Sequence, residues 1–312
     1  MKFKNSIFGI VCVVVFFACG EQKKPQRTDT TTKGSVRVIT DDCLLPLMNE
    51  EALVFQGLYP ESEIKISSTN EVDAFNYLFR DSVRLIVAAK DLTFKEKEML
   101  RAKKLMPRST RIAIDGVVLI IHPSNLDSLI TVDDFKKILD GDINSWKQLN
   151  SKSPLGSIQV VFDNNGSSTV RYIQDSITRG LIKSKNVYAK ENNKEVLEHV
   201  SKTPNAIGVI GLNWVSNTVD TLQFSFSEKV RVMSISPFLE ARVDNSYAPY
   251  PAYLILKRYP FYRDIYMIIT DAPGYLPSGF MNFVAGEKGQ RLALKSGMVP
   301  ANSPMRIVQI HE

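Results

Sequence analysis

After residue 34, apolar segments of two kinds alternate along the chain. Runs of apolar and β-branched residues predict buried strands, as in SVRVIT at 35–40, RLIVAA at 84–89 and SIQVVF at 157–162. Between these runs, apolar residues recur every three or four positions, which is typical of amphipathic helices. The alternation of strands and helices predicts an α/β fold with largely parallel strands.

Three segments carry more specific signals. The segment after Thr131 predicts a helix, because a hydroxyl cap and acidic residues precede its apolar positions and Gly141 ends it. The apolar run at 111–123 is long enough to cross between two lobes. The segment YPAYLILK at 250–257 predicts a strand that returns the chain to the first lobe.

The N-terminus has the pattern of an export signal. Lys2 and Lys4 precede a short apolar run that ends in small residues, so we expect residues 1–18 to be a signal peptide. Cys19 follows at once, and the pattern resembles the relaxed lipoboxes of Bacteroidota lipoproteins, in which this cysteine carries a lipid. Ordinary cleavage with an incidental cysteine is the alternative. Residues 19–34 are polar and lack periodicity, which predicts a flexible tether.

Composition narrows the functional classes. Hydrophobic residues make up 44% and charged residues 23%, and no internal segment approaches the ~20 apolar residues of a membrane-spanning helix. The net charge of +6 is spread along the chain, so no nucleic-acid surface is predicted. Cys43 lies between apolar neighbours and predicts a buried thiol. His122, His199 and His311 show no metal-ligand spacing, so neither a metal nor another cofactor is expected.

One stretch, FDNNGSSTVRYI at 162–173, predicts a strand end, a polar turn and the start of a helix. Gly166, Ser167, Ser168 and Thr169 could bind an oxyanion, because the first N–H groups of a helix have no internal partners. The alternative is equally physical: a serine after a turn glycine is a preferred N-cap and satisfies those groups itself. The residues alone leave both interpretations open.

Four segments in order resemble one family, the PstS-type phosphate-binding branch of the type II periplasmic solute-binding proteins. The resemblance extends from about Val36 to Val308, and the chain resembles a divergent member of that family. The segments are TVDDFKKILDGDINSWKQL, IQVVFDNNGSSTVRYI, NAIGVIGLNWV and FMNFVAGEKGQRLALKSGMVP.

The resemblance implies a two-lobed type II periplasmic-binding-protein fold, in which each lobe is a mostly parallel sheet flanked by helices and two segments cross between the lobes. Residues 35–115 with 250–312 would form the first lobe, and 116–249 the second. It also implies a lipid-anchored protein of the cell envelope that faces the periplasm. Its partners would be phosphate or another small oxyanion and ABC permease subunits or another inner-envelope complex.

The resemblance also implies site residues. In the family, the residues that match Ser167, Ser168 and Thr169 contact phosphate. The position of a phosphate-pairing arginine is occupied here by Asp163. The predicted ligand-binding residues are Thr69, Asn70, Asp163, Asn165, Gly166, Ser167, Ser168 and Thr169.

Acidic residues at the predicted cleft conflict with a dianionic ligand. If they converge, a cationic or polyhydroxyl ligand, or no small ligand, becomes the alternative. Arg171 and Lys90 could restore positive charge or could be ordinary solvated side chains. The acids concerned are Asp41, Asp42, Glu71 and Asp163.

Two functions are therefore carried forward. The first is a solute-binding protein of the phosphate or oxyanion import type, which binds its ligand between the lobes without chemistry. The second is an envelope interaction or scaffold lipoprotein of the same fold that has lost or changed its ligand. An enzyme is not expected, because the sequence shows no nucleophile elbow, no P-loop and no metal-ligand cluster.

Overall fold

The computed structural model describes residues 27–217 and 225–302. Strands and helices alternate through most of this range, as the hydrophobic pattern predicts. The strands are β1 Gly34–Asp41, β2 Ser62–Thr69, β3 Leu85–Ala88, β4 Arg108–Ile121, β5 Leu129–Thr131, β6 Gln159–Phe162, β7 Val187–Ala189, β8 Ala206–Gly211, β9 Arg231–Val232, β10 Ser234–Ser236, β11 Tyr262–Ile269 and β12 Val299–Pro300.

The α-helices are α1 Leu45–Leu58, α2 Glu71–Phe79, α3 Phe94–Ala102, α4 Val132–Asp140, α5 Trp146–Leu149, α6 Ser168–Ile173, α7 Asn193–Val200, α8 Pro251–Ile255, α9 Leu276–Ala285 and α10 Glu287–Lys295. Short 3-10 turns lie at Asp42–Leu44 and Leu212–Trp214, and α6 continues directly into a π-helical turn, Gln174–Thr178. Within the described ranges, no helix has the length and apolar character needed to cross a membrane.

A continuous sheet in the order β2-β1-β3-β11-β4-β8-β6-β7 runs through most of the described residues, whereas β10 and β5 form a separate pair. β1 pairs in parallel with β2 and β3, and β6 pairs in parallel with β7 and β8. β4 joins these groups, because its residues up to Gly116 pair with β11 and those from Val117 pair with β8. We call residues 34–116 and 262–300 the first half, and residues 117–261 the second half.

Helices cover the sheet of the first half on both faces. Val38 packs in a core with α1, α9 and α10, whereas the next residue, Ile39, packs in a core with α2 and α3. Successive side chains of a strand point to opposite faces, so an apolar strand such as β3 contributes to both cores. The second half has its own core, in which Phe135 and Trp146 are fully buried.

The predicted α/β class is confirmed, and parallel strands flanked by helices occur in each half. The predicted strand at 250–257 is wrong: Pro251 begins the helix α8, where a proline at the first position lacks only an N–H that would be unpaired anyway. Leu254 packs in the core of the second half, and the return to the first half comes with β11. The proposed lobe boundaries stay a prediction.

The N-terminal predictions fall mostly outside the described residues, which include neither the signal peptide nor Cys19. The described end of the predicted tether packs on the first half. Arg27 donates a hydrogen bond to the Asp271 carboxylate at 2.8 Å and lies 4.1 Å from the centre of the Tyr275 ring. Residues 27–34 are thus in contact with the first half, because a buried carboxylate pairs with Arg27 and Gly34 already begins β1, and the flexible tether stays a prediction.

Candidate functional site

The first half and the second half meet at a buried carboxylate. Asp41 is the last residue of β1 and is completely buried. Its Oδ1 accepts a hydrogen bond from the backbone N–H of Cys43 at 3.0 Å. Its Oδ2 accepts one from the N–H of Ser168 in the second half, also at 3.0 Å. One carboxylate thus uses both of its oxygens to connect the two halves.

A buried arginine lies beside this carboxylate. Arg263 is only 5% exposed, and it donates to the Ser168 hydroxyl at 3.0 Å and to the Cys43 sulfur at 3.0 Å. It also donates two hydrogen bonds to Asp115, at 2.9 and 3.0 Å. We define the oxyanion site as the N–H groups of Cys43 and Ser168 together with the Arg263 guanidinium. The structure places the Asp41 carboxylate in it.

A second polar connection runs alongside the oxyanion site. Asp42 accepts hydrogen bonds from the backbone and side-chain amides of Asn193, at 2.8 and 2.9 Å. The side-chain amide of Asn193 also donates to Asp163 at 2.9 Å. Asp163, completely buried, accepts a hydrogen bond from the Ser167 hydroxyl at 2.6 Å. Asp163 therefore holds the turn before α6 in place through contacts within the protein.

A third connection closes the edge of the cleft. Arg171 donates to Glu71 at 2.5 Å and to the Ala89 carbonyl at 2.9 Å, while the Ala89 N–H donates to Glu71 at 2.9 Å. The Val72 N–H donates to the Gly166 carbonyl at 3.3 Å. Lys90 lies 4.2 Å from the centre of the Phe75 ring, outside the oxyanion site. Of the two candidate cations, Arg171 and Lys90, Arg171 reaches the cleft, where it forms an ion pair with Glu71.

The buried acids affect one another's protonation. Burial raises the pKa of Asp41, and the Glu71 carboxylate raises it further, against the opposing effects of Cys43 and Arg263. Burial, with Asp41 as the next cause, raises the pKa of Asp163 to about 8. Burial also raises the pKa of Asp115, although Arg263 opposes the rise. The cleft contains more carboxyl groups than arginines, and the raised pKa values favour the protonated form of these carboxyl groups.

A cavity of about 260 Å³ opens beside the oxyanion site. Its carboxyl groups are Asp42, Asp163 and Glu191, and its described lining includes no lysine, arginine or histidine. The lining residues are Asp42, Ser68, Thr69, Asn70, Asp163, Asn164, Ser167, Glu191 and Asn192. The cavity is therefore polar and acidic, whereas the oxyanion site behind it carries a cation. Within the described ranges, no group of three or more His, Cys, Asp or Glu side chains could hold a metal ion.

The family model described as a PBP superfamily domain matches residues 25–288. The chain belongs to the PBP superfamily. The match covers most of the chain, and it includes the second half, the first half up to residue 288 and every residue of the oxyanion site.

Curated relatives of this PBP domain include phosphate-binding proteins PstS. The protein from Pseudomonas aeruginosa is 22% identical over 286 residues, which are 86% of this chain and 83% of that protein. The protein from Borreliella burgdorferi is 25% identical over 182 residues, which are 56% of this chain and 62% of that protein. The chain thus spans less than two thirds of the Borreliella relative. The predicted resemblance to PstS-type proteins is confirmed.

Solved structures show the same fold. One is a phosphate ABC transporter substrate-binding protein from Clostridium perfringens, solved with bound phosphate. It has a TM-score of 0.69 and 22% sequence identity, and the alignment covers 86% of this chain and 100% of that protein. An ABC-type phosphate transport receptor from Vibrio cholerae has a TM-score of 0.61 at 15% identity, with 86% and 100% coverage. The curated relatives are phosphate-binding proteins by name, in agreement with the prediction that this chain is not an enzyme.

The PBP domain brings most of the predicted site residues to one place. Thr69 and Asn70 from the first half line the acidic cavity with Asp163 and Ser167. A Cβ atom on Gly166 would lie 2.9 Å from the Asn70 side-chain oxygen, so a larger residue at this position would displace the Asn70 side chain. Both interpretations of the turn are partly realised: Ser167 caps α6 by accepting from the Val170 N–H, while the N–H of Ser168 binds a carboxylate.

The remaining predicted residues differ in position. Ser168 and Thr169 are completely buried, and the Thr169 hydroxyl has no hydrogen-bond partner among the residues that the structure describes. Asn165 lines a separate pocket with Leu181 and Tyr188 and not the acidic cavity, and its ligand-binding role stays a prediction. The predicted acids of the cleft converge, which favours the alternative of a cationic or polyhydroxyl ligand, or of no small ligand. These acids are Asp41, Asp42, Glu71 and Asp163.

Sequence reasoning missed Arg263 and Asn193. Arg263 lies on β11, far along the chain from the loops that it contacts. Its alternation with the buried Ile265 and Met267 was the available signal, because it places a charged residue on the apolar face of a strand. Asn193 gave no comparable signal, since an asparagine near a helix N-terminus is common.

Proposed function

We propose that this protein is a solute-binding protein of the phosphate or oxyanion import type, which binds its ligand between the two halves. The observation that carries this proposal is the oxyanion site itself. Donors from both halves converge on the two oxygens of one carboxylate, and a buried guanidinium contacts the same residues, Cys43 and Ser168. N–H donors beside a guanidinium are the groups that bind oxyanions in proteins.

Two further features support an oxyanion as the ligand. Arg263 supplies a positive charge next to Ser168, although the family's arginine position is occupied by Asp163. The Thr169 hydroxyl is buried and has no hydrogen-bond partner within the described ranges, so it could donate to a bound ligand. The relatives with this fold are phosphate-binding proteins by name.

Calorimetric titration of the full-length protein in detergent with phosphate, sulfate and arsenate tests this function. We expect saturable binding of at least one oxyanion, and we expect the double variant Ser168→Ala, Thr169→Ala to abolish it. Ser153→Ala is the matched control, because Ser153 is also a buried serine but lies outside the cleft. Absence of binding across the whole panel would refute the proposal.

The location and the partner belong to the same proposal. We expect a lipid on Cys19 to anchor the protein in the cell envelope, where it faces the periplasm and delivers solute to ABC permease subunits. Solved structures with this fold include, by name, an ABC transporter substrate-binding protein, an ABC-type phosphate transport receptor and a periplasmic phosphate-binding protein. Cys19→Ala should release the protein from the membrane fraction, whereas Cys12→Ala should not. Retention of the Cys19→Ala protein in membranes would contradict the lipid anchor.

The acidic cavity favours a second candidate, an envelope interaction or scaffold lipoprotein that has lost or changed its ligand. Asp42 and Glu191 would repel a dianion at the entrance, by several kcal/mol for each close pair at the effective dielectric of a partly buried site. Stabilisation by a sugar or by a divalent cation, with no response to any oxyanion, would favour this candidate. If no oxyanion, sugar or divalent cation stabilises the protein and an envelope protein co-purifies with it, the scaffold function is favoured.

A further inference from the structure

We infer that Asp41 is a built-in ligand of the oxyanion site, so that an external oxyanion binds only in exchange for the Asp41 carboxylate. The inference rests on the proposed function, because it assumes that the oxyanion site is the site of solute binding. It assigns Asp41 as the residue that sets the affinity of this site for anions.

The hydrogen bonds of Asp41 support this role. Its two oxygens accept one N–H each, from Cys43 in the first half and from Ser168 in the second half, both at 3.0 Å. A carboxylate with two N–H donors presents the same pattern as one edge of a bound phosphate or sulfate. The Asp41 side chain is completely buried, so it does not contact solvent.

Arg263 shows that the surroundings of Asp41 are built for an anion. Its guanidinium contacts the side chains of Cys43 and Ser168, the same two residues whose N–H groups bind Asp41. The Cys43 sulfur and the Ser168 hydroxyl are themselves 3.3 Å apart. Asp41, Cys43, Ser168 and Arg263 therefore form one compact unit across the two halves.

Other hydrogen bonds beside Asp41 also join the two halves through groups of the protein itself. Asp42, Asn193 and Asp163 form a second bridge between the halves, and the indole of Trp214 donates to the Asp42 carbonyl at 3.1 Å. These bridges consist of the protein's own groups. An entering oxyanion must break the bond between Asp41 and Ser168 before it can use the Ser168 N–H.

Asp41→Ser is the most informative variant. Serine keeps a side-chain acceptor for the Cys43 N–H, because it is a preferred N-cap residue, but it removes the charge and is too short to fill the place of the carboxylate. We expect Asp41→Ser to bind phosphate at least tenfold more tightly than the wild-type protein in calorimetry. Asp264→Asn is the control, since it removes an exposed carboxylate from the same sheet; it should leave the affinity unchanged.

Formate provides a second readout that needs no phosphate. Asp41→Ala leaves space for a small carboxylate, so formate should raise its melting temperature in a concentration-dependent way and should not affect the wild-type protein. Asp73→Ala, which removes an exposed carboxylate, should show no formate response.

The outcomes separate the inference from the function. Equal phosphate affinity of wild type and Asp41→Ser, with no formate response of Asp41→Ala, would overturn the inference and leave the proposed function intact. No oxyanion binding by either protein would overturn the proposed function, and the inference with it. Tighter binding by Asp41→Ser and stabilisation of Asp41→Ala by formate would support both.

Discussion

The cleft and the outer helix α1 both contain completely buried carboxyl groups, and the two regions differ in the hydrogen-bond donors that they offer to these groups. In the cleft, each oxygen of Asp41 accepts an N–H, and Asp163 accepts from Ser167 and Asn193. On α1, Glu51 is completely buried, and neither of its oxygens has a hydrogen-bond partner among the described residues. Burial raises the pKa of Glu51 to about 8.

This difference shows that burial alone does not identify a functional carboxylate. A buried carboxyl group without donors is most stable as the neutral acid, and it costs folding free energy when it ionises. A buried carboxylate with donors from two parts of the chain connects those parts, and its removal exposes the donors to another acceptor. Asp41 is of the second kind, which is why we propose it as an internal ligand.

The largest effect should come from the cation of the cleft. Arg263→Met leaves Asp115 buried without its partner, and loss of one member of a buried ion pair destabilises a protein by about 4 kcal/mol. Arg111→Met, which breaks an exposed pair with Asp264, should cost less than about 1 kcal/mol. Urea denaturation measures both. Similar small losses in the two variants would remove the distinction between the cleft and the surface.

The second effect concerns α1. Folding raises the pKa of Glu51 from an ordinary value of 4.5 to about 8, so its contribution to stability is complete below pH 4.5 and is lost as the pH rises to about 8. Glu51→Leu should therefore increase the free energy of unfolding at pH 7 by on the order of 2–3 kcal/mol.

The neighbouring residue offers a matched control for this substitution. Glu50 is exposed on the same helix, and Glu50→Leu should change the free energy of unfolding by no more than about 0.5 kcal/mol. The gain from Glu51→Leu should shrink at pH 5, because the Glu51 carboxyl of the unfolded wild-type chain is then partly protonated and folding costs less free energy to protonate it. A gain that is the same at pH 5 and pH 7 would contradict the neutral buried acid.

The third effect, the smallest for a single pH unit, is the slope of stability with pH. Folding raises the pKa of Asp163 from 3.8 to about 8, so the folded state keeps a proton that the unfolded state has released between these values. Wild-type stability should fall with rising pH in this window, by up to about 1.4 kcal/mol per pH unit for one proton. Asp163→Asn cannot titrate and should reduce the slope by about that amount. An unchanged slope in urea denaturation at pH 5, 6, 7 and 8 would show that Asp163 is ionised in the folded protein.

Local sequence signals predicted the elements that depend on local contacts. The Thr131 hydroxyl caps α4 by accepting from the Asp134 N–H at 2.8 Å, and Gly141 ends the helix in the left-handed region with φ of 93°. β3 and β6 lie where apolar runs predict them. These features follow from neighbours within a few residues, so the sequence contains the information that determines them.

The pairing of cleft residues could not be predicted in the same way. Asp41 and Ser168 are 127 positions apart, and Arg263 is 95 positions from Ser168. Only the folded sheet brings the ends of β1, β6 and β11 together. The segment 250–257 shows the opposite difficulty: its apolar pattern suits a short buried helix as well as a strand, and periodicity cannot distinguish them at this length.

A crystal structure of the wild-type protein in saturating phosphate tests the central claim most directly. The account predicts a phosphate ion within hydrogen-bond distance of the Ser168 N–H, close to Arg263, with the Asp41 carboxylate moved away from Ser168. A structure in which Asp41 still accepts from the Ser168 N–H, with phosphate absent or bound elsewhere, would contradict it.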